Sequence, residues 1–108
     1  MSKAGLPLEE LWKLLKKIPK GKVSTYKAIS EKLRVPNPRN VGWMLKQNPH
    51  APIVPCHRVI QSSGHIGGYN GKSTGTQVRK KLNLLSKEGV SFNSSGKIVD
   101  SSQILKRL

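Results

Sequence analysis

Ile53-Val54-Pro55-Cys56-His57-Arg58-Val59 is the stretch around which any fold of this chain must be organised. It holds the only cysteine in 108 residues, set between a proline and a histidine and flanked on both sides by β-branched apolar residues. A lone thiol makes no internal disulfide, and one cysteine with histidines at 50, 57 and 65 lacks the spacing of a structural zinc site, so no metal is expected. On the residues alone, two readings of Cys56 stay open. One is a small buried core residue, which is what most free cysteines are. The other is a reactive thiol: Pro55 removes a backbone donor and fixes φ, while His57 and Arg58 bring a potential base and a fixed positive charge beside the sulfur. Such neighbours favour the thiolate, which is the nucleophilic form.

The length points to one domain, residues 1–108, with a modest core. Twenty Lys and Arg against five Asp and Glu give a formal charge of +15, and between Lys13 and Lys87 the only acid is Glu31. A stretch so poor in negative charge suggests a polyanionic partner, nucleic acid first; a merely solubilising surface is the plainer alternative. No long apolar segment or lipidation signal accompanies the charge, which disfavours a membrane-surface role, and the N-terminus lacks an apolar signal-peptide core. A free thiol then suggests the reducing cell interior, that is, a cytoplasmic protein, nucleoid-associated if prokaryotic.

Taken in order, Leu8, Leu11, Trp12, Leu15 and Ile18 recur at helical spacing after Pro7, with Glu9 and Glu10 in the first turn and Lys16 and Lys17 in the last. Pro19-Lys20-Gly21 ends this helix, and Trp12 reads as core packing. Ser24 or Thr25 can cap a second helix running to about Leu33, with Ala28, Ile29 and Leu33 inward. Val35-Pro36-Asn37-Pro38 is a breaker, and a third helix begins near Arg39 and runs to Asn48, its apolar face formed by Val41, Met44 and Leu45. Two short helices with a tight connection, the second carrying Arg39 and Lys46, read as a helix-turn-helix. Val59-Ile60, Ser62-Ser63-Gly64 and Ile66 read as a short hairpin, giving a small α/β, mainly α, winged-helix domain with a β-hairpin wing. Gly67, Gly68 and Gly71 surround Tyr69 in a loop whose glycines allow close approach to a ligand. Thr74 and Gln77 are spaced as a capping box for a last helix with Val78, Leu82 and Leu85, and Gly89 closes it. Val90-Ser91-Phe92 and Lys97-Ile98-Val99 suggest a second hairpin, and 101–108 one further turn.

Pro55-Cys56-His57-Arg58-Val59 resembles the active-site motif of the O6-alkylguanine-DNA alkyltransferases, the methylated-DNA-protein-cysteine methyltransferases. Other residues lie at that family's spacing: Asn48-Pro49 eight before the cysteine, Arg39 seventeen before it, Thr25-Tyr26 further upstream, Gly67-Gly68-Tyr69 downstream, and Glu88 in a Lys-Glu-Gly context. The resemblance covers roughly residues 8 to 92 and begins almost at the catalytic domain's first helix, without the separate N-terminal domain that many members carry. It implies a single-turnover DNA repair protein that takes an alkyl group from O6 of guanine onto Cys56. The thioether formed has no hydrolytic route back, unlike the acyl-enzyme of a cysteine hydrolase. No cofactor is implied, the partner is double-stranded DNA containing O6-alkylguanine, and the protein is expected to act as a monomer.

Carried over residue by residue, Cys56 resembles the alkyl acceptor, His57 the residue that draws off its proton through a water molecule, and Glu88 the carboxylate orienting that histidine. Asn48 resembles the hinge between the recognition helix and the thiol turn. Tyr26 resembles the phenol that donates toward N3 of the guanine and crowds the adjacent phosphate. Arg39 resembles the finger that fills the stack after the nucleotide is extruded. Thr25, Asn40, Gly42, Trp43 and Lys46 accompany Tyr26 and Arg39 as expected DNA-facing positions. The carbonyls of Cys56 and Val59 resemble acceptors for the guanine amino group, and Tyr69 with the Asn70 N–H lines the pocket near O6. Asn70 stands where the family pattern has a small residue such as serine, and residues 72–76 read as an insertion; both bear on which alkyl groups fit.

Three other readings compete, among them a cysteine hydrolase, which accounts for Cys56 and His57 but not for the basic surface. An alkyltransferase-like protein binds the lesion without repairing it and replaces the cysteine, usually with tryptophan; Cys56 argues against it. A winged-helix regulator accounts for the charge and the helix pair but not for Pro-Cys-His-Arg-Val. The charge pattern gives a direct expectation: affinity for undamaged DNA is largely independent of sequence and falls steeply with salt, because released counterions drive such binding. Anisotropy titrations from about 50 to 200 mM salt check this. Salt-insensitive binding, or a strong preference for one operator, supports the regulator instead.

Overall fold

The computed structural model describes residues 7–48, 53–68 and 75–105. Helix α1, Leu8–Lys16, starts where Pro7 accepts from the Leu11 N–H at 3.0 Å and buries Leu11, Leu14 and Leu15, with Ile18 buried just beyond it. Its first turn carries Glu9 and Glu10 and its last turn Lys13 and Lys16, charges that suit the two ends of the helix dipole. Leu8 and Trp12 pack against the core from its partly exposed side, as the periodicity predicts.

Strand β1, Ser24–Thr25, runs directly into helix α2, Tyr26–Leu33. The Thr25 hydroxyl accepts from the Ala28 N–H at 3.0 Å and caps α2. A left-handed Arg34 at φ 58° turns the chain out of α2, and helix α3, Pro38–Lys46, begins at once. Asn37 and Asn40 close a reciprocal capping box there, and Pro38 occupies the first turn, where a missing N–H does no harm. The tight α2–α3 pair is the expected helix-turn-helix, with Ile29, Val41, Met44 and Leu45 buried between the helices and α1. Helix α3 ends at Lys46 rather than at Asn48, which puts Asn48 just past the helix end.

Strand β2, Val59–Ile60, pairs with β1 in parallel, Ser24 against Val59 and Thr25 against Ile60. Alternation along β2 sends Val59 into the helical cluster and Ile60 into a second one with Val23, Ile66, Leu85, Val90 and Ile98. This corrects the predicted wing in detail. The turn at residues 61–65 forms, with the Gln61 N–H donating to His65 and Gly64 N–H to Gln61, both at 2.9 Å. Beyond it the chain pairs with the C-terminal hairpin, through a His65–Lys97 bridge and an Ile98 N–H to Gly64 carbonyl bond of 2.8 Å, instead of folding back on β2. The C-terminal hairpin is as expected, with Phe92 opposite Ile98. A 3₁₀ turn at Ser101–Gln103 then lays Ile104 beside Val23.

Helix α4, Thr76–Lys87, starts after Gly75, and the capping box expected from Thr74 and Gln77 falls on Thr74, which lies outside the described residues. Gly75 takes φ 80°, ψ −147°, a conformation open essentially to glycine alone. The helix ends in a Schellman motif: Gly89, at φ 87°, donates to the Ser86 carbonyl at 3.0 Å and Val90 to that of Leu85 at 2.9 Å. Among the described residues no helix is long and apolar enough to cross a membrane.

A Cβ built on Gly89 meets nothing within 4 Å. Gly89→Ala therefore isolates the left-handed backbone requirement, and urea denaturation should show a loss of about 1 kcal/mol with an unchanged m-value. A neutral result would mean that the left-handed turn after Glu88 is not required.

Candidate active site

The thiol turn is built on one carbonyl. Asn48 Nδ2 donates to the Val54 carbonyl at 2.7 Å, and the backbone N–H of Cys56 donates to the same oxygen at 2.8 Å. The second bond closes an inverse γ-turn on Pro55, φ −82° and ψ 69°, a conformation the proline ring already favours in φ. Cys56–Arg58 follows as a 3₁₀ turn leading into β2. The asparagine at the end of α3 thus holds the turn that carries the cysteine, the hinge geometry expected of Asn48. Cys56 is 5% exposed, at the edge of the helical cluster.

His57 points inward and is 1% exposed. Its Nε2 lies 3.0 Å from Glu88 Oε2. Burial pushes the Glu88 carboxyl up, but hydrogen bonds from Arg58 and His57 outweigh it and hold the group below its ordinary value. At neutral pH Glu88 is therefore an ionised acceptor, and Nε2 must be the donor. Burial lowers the His57 value against the opposing pull of Glu88, which leaves the ring neutral and its Nδ1 unprotonated. That Nδ1 is buried and makes no hydrogen bond among the described residues. The arrangement is an oriented base with an available lone pair, one residue from the only thiol.

Arg58 departs from its expected place beside the sulfur. Its Nε donates to Glu88 Oε1 at 2.9 Å and Nη2 to Oε2 at 2.8 Å, while Nη1 donates to the Ile18 carbonyl at 2.6 Å just past α1. Arg58 thus acts on the thiol indirectly, by fixing the carboxylate that fixes the histidine. A guanidinium satisfies both oxygens and the carbonyl at once because its donors lie in a planar fork.

Tyr26 opens α2 half-buried, its O–H donating to the Gly68 carbonyl at 3.4 Å. Burial, with Cys56 adding to it, pushes the phenol up to about 12, so it remains protonated at neutral pH. Gly67 stands close to side chains of this chain: a Cβ there, at φ 72°, stands 3.3 Å from Tyr26 Cε2 and 3.2 Å from Gln61 Cγ. Val59 is buried, and one of its carbonyl's two acceptor positions is taken by Lys81 Nζ at 2.7 Å. Tyr69 and Asn70 lie outside the described residues.

The expected DNA-facing residues divide by their surroundings. Arg39 and Lys46 are exposed near the two ends of α3. Trp43 is half-buried against the helical cluster and Gly42 half-buried beside it. The side chains of Thr25 and Asn40 serve as helix caps. Two site residues escaped the sequence reading, Arg58 in its role and Lys81 altogether. Lys81 had a signal, since it falls among Val78, Leu82 and Leu85 on the inward face of α4. Among the described residues no group of three or more His, Cys, Asp or Glu could hold a metal ion.

Residues 8–90 match the family model described as 6-O-methylguanine DNA methyltransferase, DNA binding domain. Over 65 residues the chain is 49% identical to the methylated-DNA–protein-cysteine methyltransferase of Pyrobaculum aerophilum, an alignment covering 60% of this chain and 41% of that protein. The chain thus spans less than half the length of that curated relative. A solved structure of Mycobacterium tuberculosis OGT in complex with DNA is 39% identical with a TM-score of 0.65, over 75% of this chain and 48% of that one. S. pombe Atl1, solved in complex with damaged DNA containing O6-carboxymethylguanine, is 30% identical with a TM-score of 0.68, over 84% of each chain.

The His57–Glu88 pair sets a pH dependence. Because the folded His57 value lies below its ordinary 6.5, the unfolded chain binds the proton more readily. Stability is therefore fully present above about pH 6.5 and declines as pH falls toward the folded value, with Glu88 adding a further loss in stronger acid. NMR titration of the His57 ring should give a midpoint below 6.5. Glu88→Gln should lower it further, since the carboxylate is what favours imidazolium. A midpoint that rises in Glu88→Gln would contradict the assignment.

Proposed function

The chain belongs to the 6-O-methylguanine DNA methyltransferase family, and from that premise we propose that it repairs DNA by turning an O6-alkylguanine, chiefly O6-methylguanine, out of the duplex and taking the alkyl group irreversibly onto Cys56. The observation that carries this reading is the pairing of a lone thiol with a neutral, oriented imidazole whose Nδ1 lone pair is unused. In the reaction Nδ1 takes the thiol proton through a water molecule. The thiolate attacks the alkyl carbon, the S–C bond forms as the C–O6 bond breaks, and the electron pair leaves on guanine. Tyr26, protonated at neutral pH, donates toward N3 of the departing base, and its 3.4 Å bond to Gly68 is long enough to exchange easily. The proton His57 gained matches the one the guanine must finally acquire. Glu88 stabilises the transient imidazolium.

Recognition falls to α3, whose exposed Arg39 stands to enter the stack as the nucleotide leaves. The S. pombe neighbour, solved with an O6-modified guanine in DNA, supports this class of ligand for the similar helix pair here. A chain with a single free thiol and no resolving partner works best in the reducing cell interior, which we take as its location.

Intact mass spectrometry after incubation with an O6-methylguanine oligonucleotide should show one added methyl group on Cys56 and no more than about one lesion repaired per molecule. Turnover well beyond one equivalent, or lesion binding with no gain in mass, contradicts alkyl transfer. Arg39→Ala should slow transfer from duplex DNA far more than transfer from a free alkylated base, which needs no extrusion, and Arg39→Lys should recover part of the duplex rate. Equal losses on both substrates assign Arg39 to the fold instead.

A further inference from the structure

The outward side of α4 serves neither the fold nor the alkyl-transfer chemistry. Inward, Val78, Leu82 and Leu85 pack in the second hydrophobic cluster. Outward, Thr76, Arg79, Lys80, Asn83, Ser86 and Lys87 are all exposed, at the three- and four-residue spacing that places them on one face. That face bears three cations and no anion. Glu88, the acid that follows the helix, turns to His57 and Arg58 instead. Among the described residues none of Arg79, Lys80 and Lys87 makes an ion pair.

Such a face works against the helix that bears it. Arg79 and Lys80 stand in the N-terminal half, where the helix dipole gives a cation no support, and like charges along one side repel. Acids three or four residues away offset this on an ordinary surface helix. Helix α1 places Glu9 and Glu10 before Lys13, and α2 carries Glu31. Of the four α-helices described, α3 and α4 alone contain no acid, and α3 is the recognition helix. The charge of α4 complements the same chemistry, a phosphodiester backbone.

The two helices lie on opposite sides of the β1–β2 pair. Val59 enters the cluster built by α1, α2 and α3, and Ile60 enters the one built by α4 and the C-terminal hairpin; α4 reaches the first cluster only with Leu84. The exposed faces of α3 and α4 therefore point away from each other, and a straight duplex seated on α3 does not reach Arg79, Lys80 and Lys87.

Resting on the reading that α3 seats the lesion-bearing duplex, we propose that the outward face of α4 is a second DNA-binding surface, which takes the backbone of a separate duplex through Arg79, Lys80 and Lys87, so that one molecule bridges two DNA segments. The planar guanidinium of Arg79 can hold one phosphate with two parallel bonds, and the lysines add point charges. Lys80 to Lys87 covers about 10 Å of helix axis at ~1.5 Å per residue, the length of about three base-pair steps. Phosphate contacts carry no sequence information, so the second segment can be any duplex. A molecule held on one segment while it engages the next passes between them without full release, which suits a search for rare lesions in long DNA.

Bead capture tests this on the full chain. An undamaged duplex fixed to beads is loaded with protein at low salt, and a labelled second duplex that cannot itself bind the beads is added. The native chain should retain the label. Arg79→Gln/Lys80→Gln/Lys87→Gln should lower retention by about tenfold or more, through lost phosphate contacts, while still binding a single duplex and accepting the methyl group. Lys13→Gln/Lys16→Gln/Lys17→Gln, which removes the same charge from α1, should retain the label as the native chain does. A native chain that binds the bead duplex but retains no label overturns the proposal. Unchanged retention in the α4 variant assigns bridging to association between protein molecules, and equal losses in both variants assign it to net charge; either result also overturns it. Should the α4 triple variant not fold, Arg79→Gln, Lys80→Gln and Lys87→Gln singly should each lower retention and Lys13→Gln should not. A native chain that binds and bridges duplexes but takes no methyl group contradicts the functional reading and leaves the second surface standing.

Discussion

Glu88 is the carboxylate on which the site depends. It receives Nε2–H from His57 and a two-pronged bond from Arg58, and Arg58 in turn reaches the Ile18 carbonyl beyond α1. One acid thereby connects the end of α4, the thiol turn and the end of α1. The group is 12% exposed, so its charges are screened less than those of a surface pair, and removing a partner leaves a partly buried charge uncompensated. In a chain of net charge +15, every other acid is on the surface. That scarcity makes the role of Glu88 hard to replace.

What Glu88 does for the histidine, backbone geometry does for the cysteine. The Val54 carbonyl accepts from both Asn48 and Cys56, so the end of α3 and the reactive turn share an acceptor. A movement of α3 therefore reaches Cys56 through two hydrogen bonds. Pro55 favours the tight turn by limiting the unfolded chain, and the 3₁₀ turn after it sets His57 inward toward α4. The Schellman motif at Gly89 ends α4 so that Glu88 meets that histidine.

The helices were legible because their determinants are local. The apolar stripe of α1, the Thr25 cap of α2 and the Pro-flanked start of α3 all lie within a few residues of the structure they specify. The thiol, the histidine, the asparagine hinge and Glu88 were legible as a family pattern. The parallel pairing of Ser24–Thr25 with Val59–Ile60 was not, because two two-residue strands far apart in the chain leave no periodic trace. The return limb after Gly64 was assigned to its sequence neighbour, whereas the hydrophobic cluster of Ile66 and Ile98 brings it to the C-terminal hairpin. Lys81 was hidden by its type, since lysine is almost always solvated and only three carbonyls converging from distant segments make its burial tolerable. Arg58 was misplaced because adjacency in sequence says nothing about direction on a 3₁₀ turn.

Glu88 fixes His57 as a neutral base with its free nitrogen at Nδ1. Ring nitrogen chemical shifts of His57, recorded by NMR in the unreacted protein at about pH 7.5, report it directly, well above the ordinary histidine range. A proton on Nε2 and a bare Nδ1 are expected. A proton on Nδ1 with Nε2 bare, or an imidazolium at that pH, would contradict it and leave Cys56 without an oriented base.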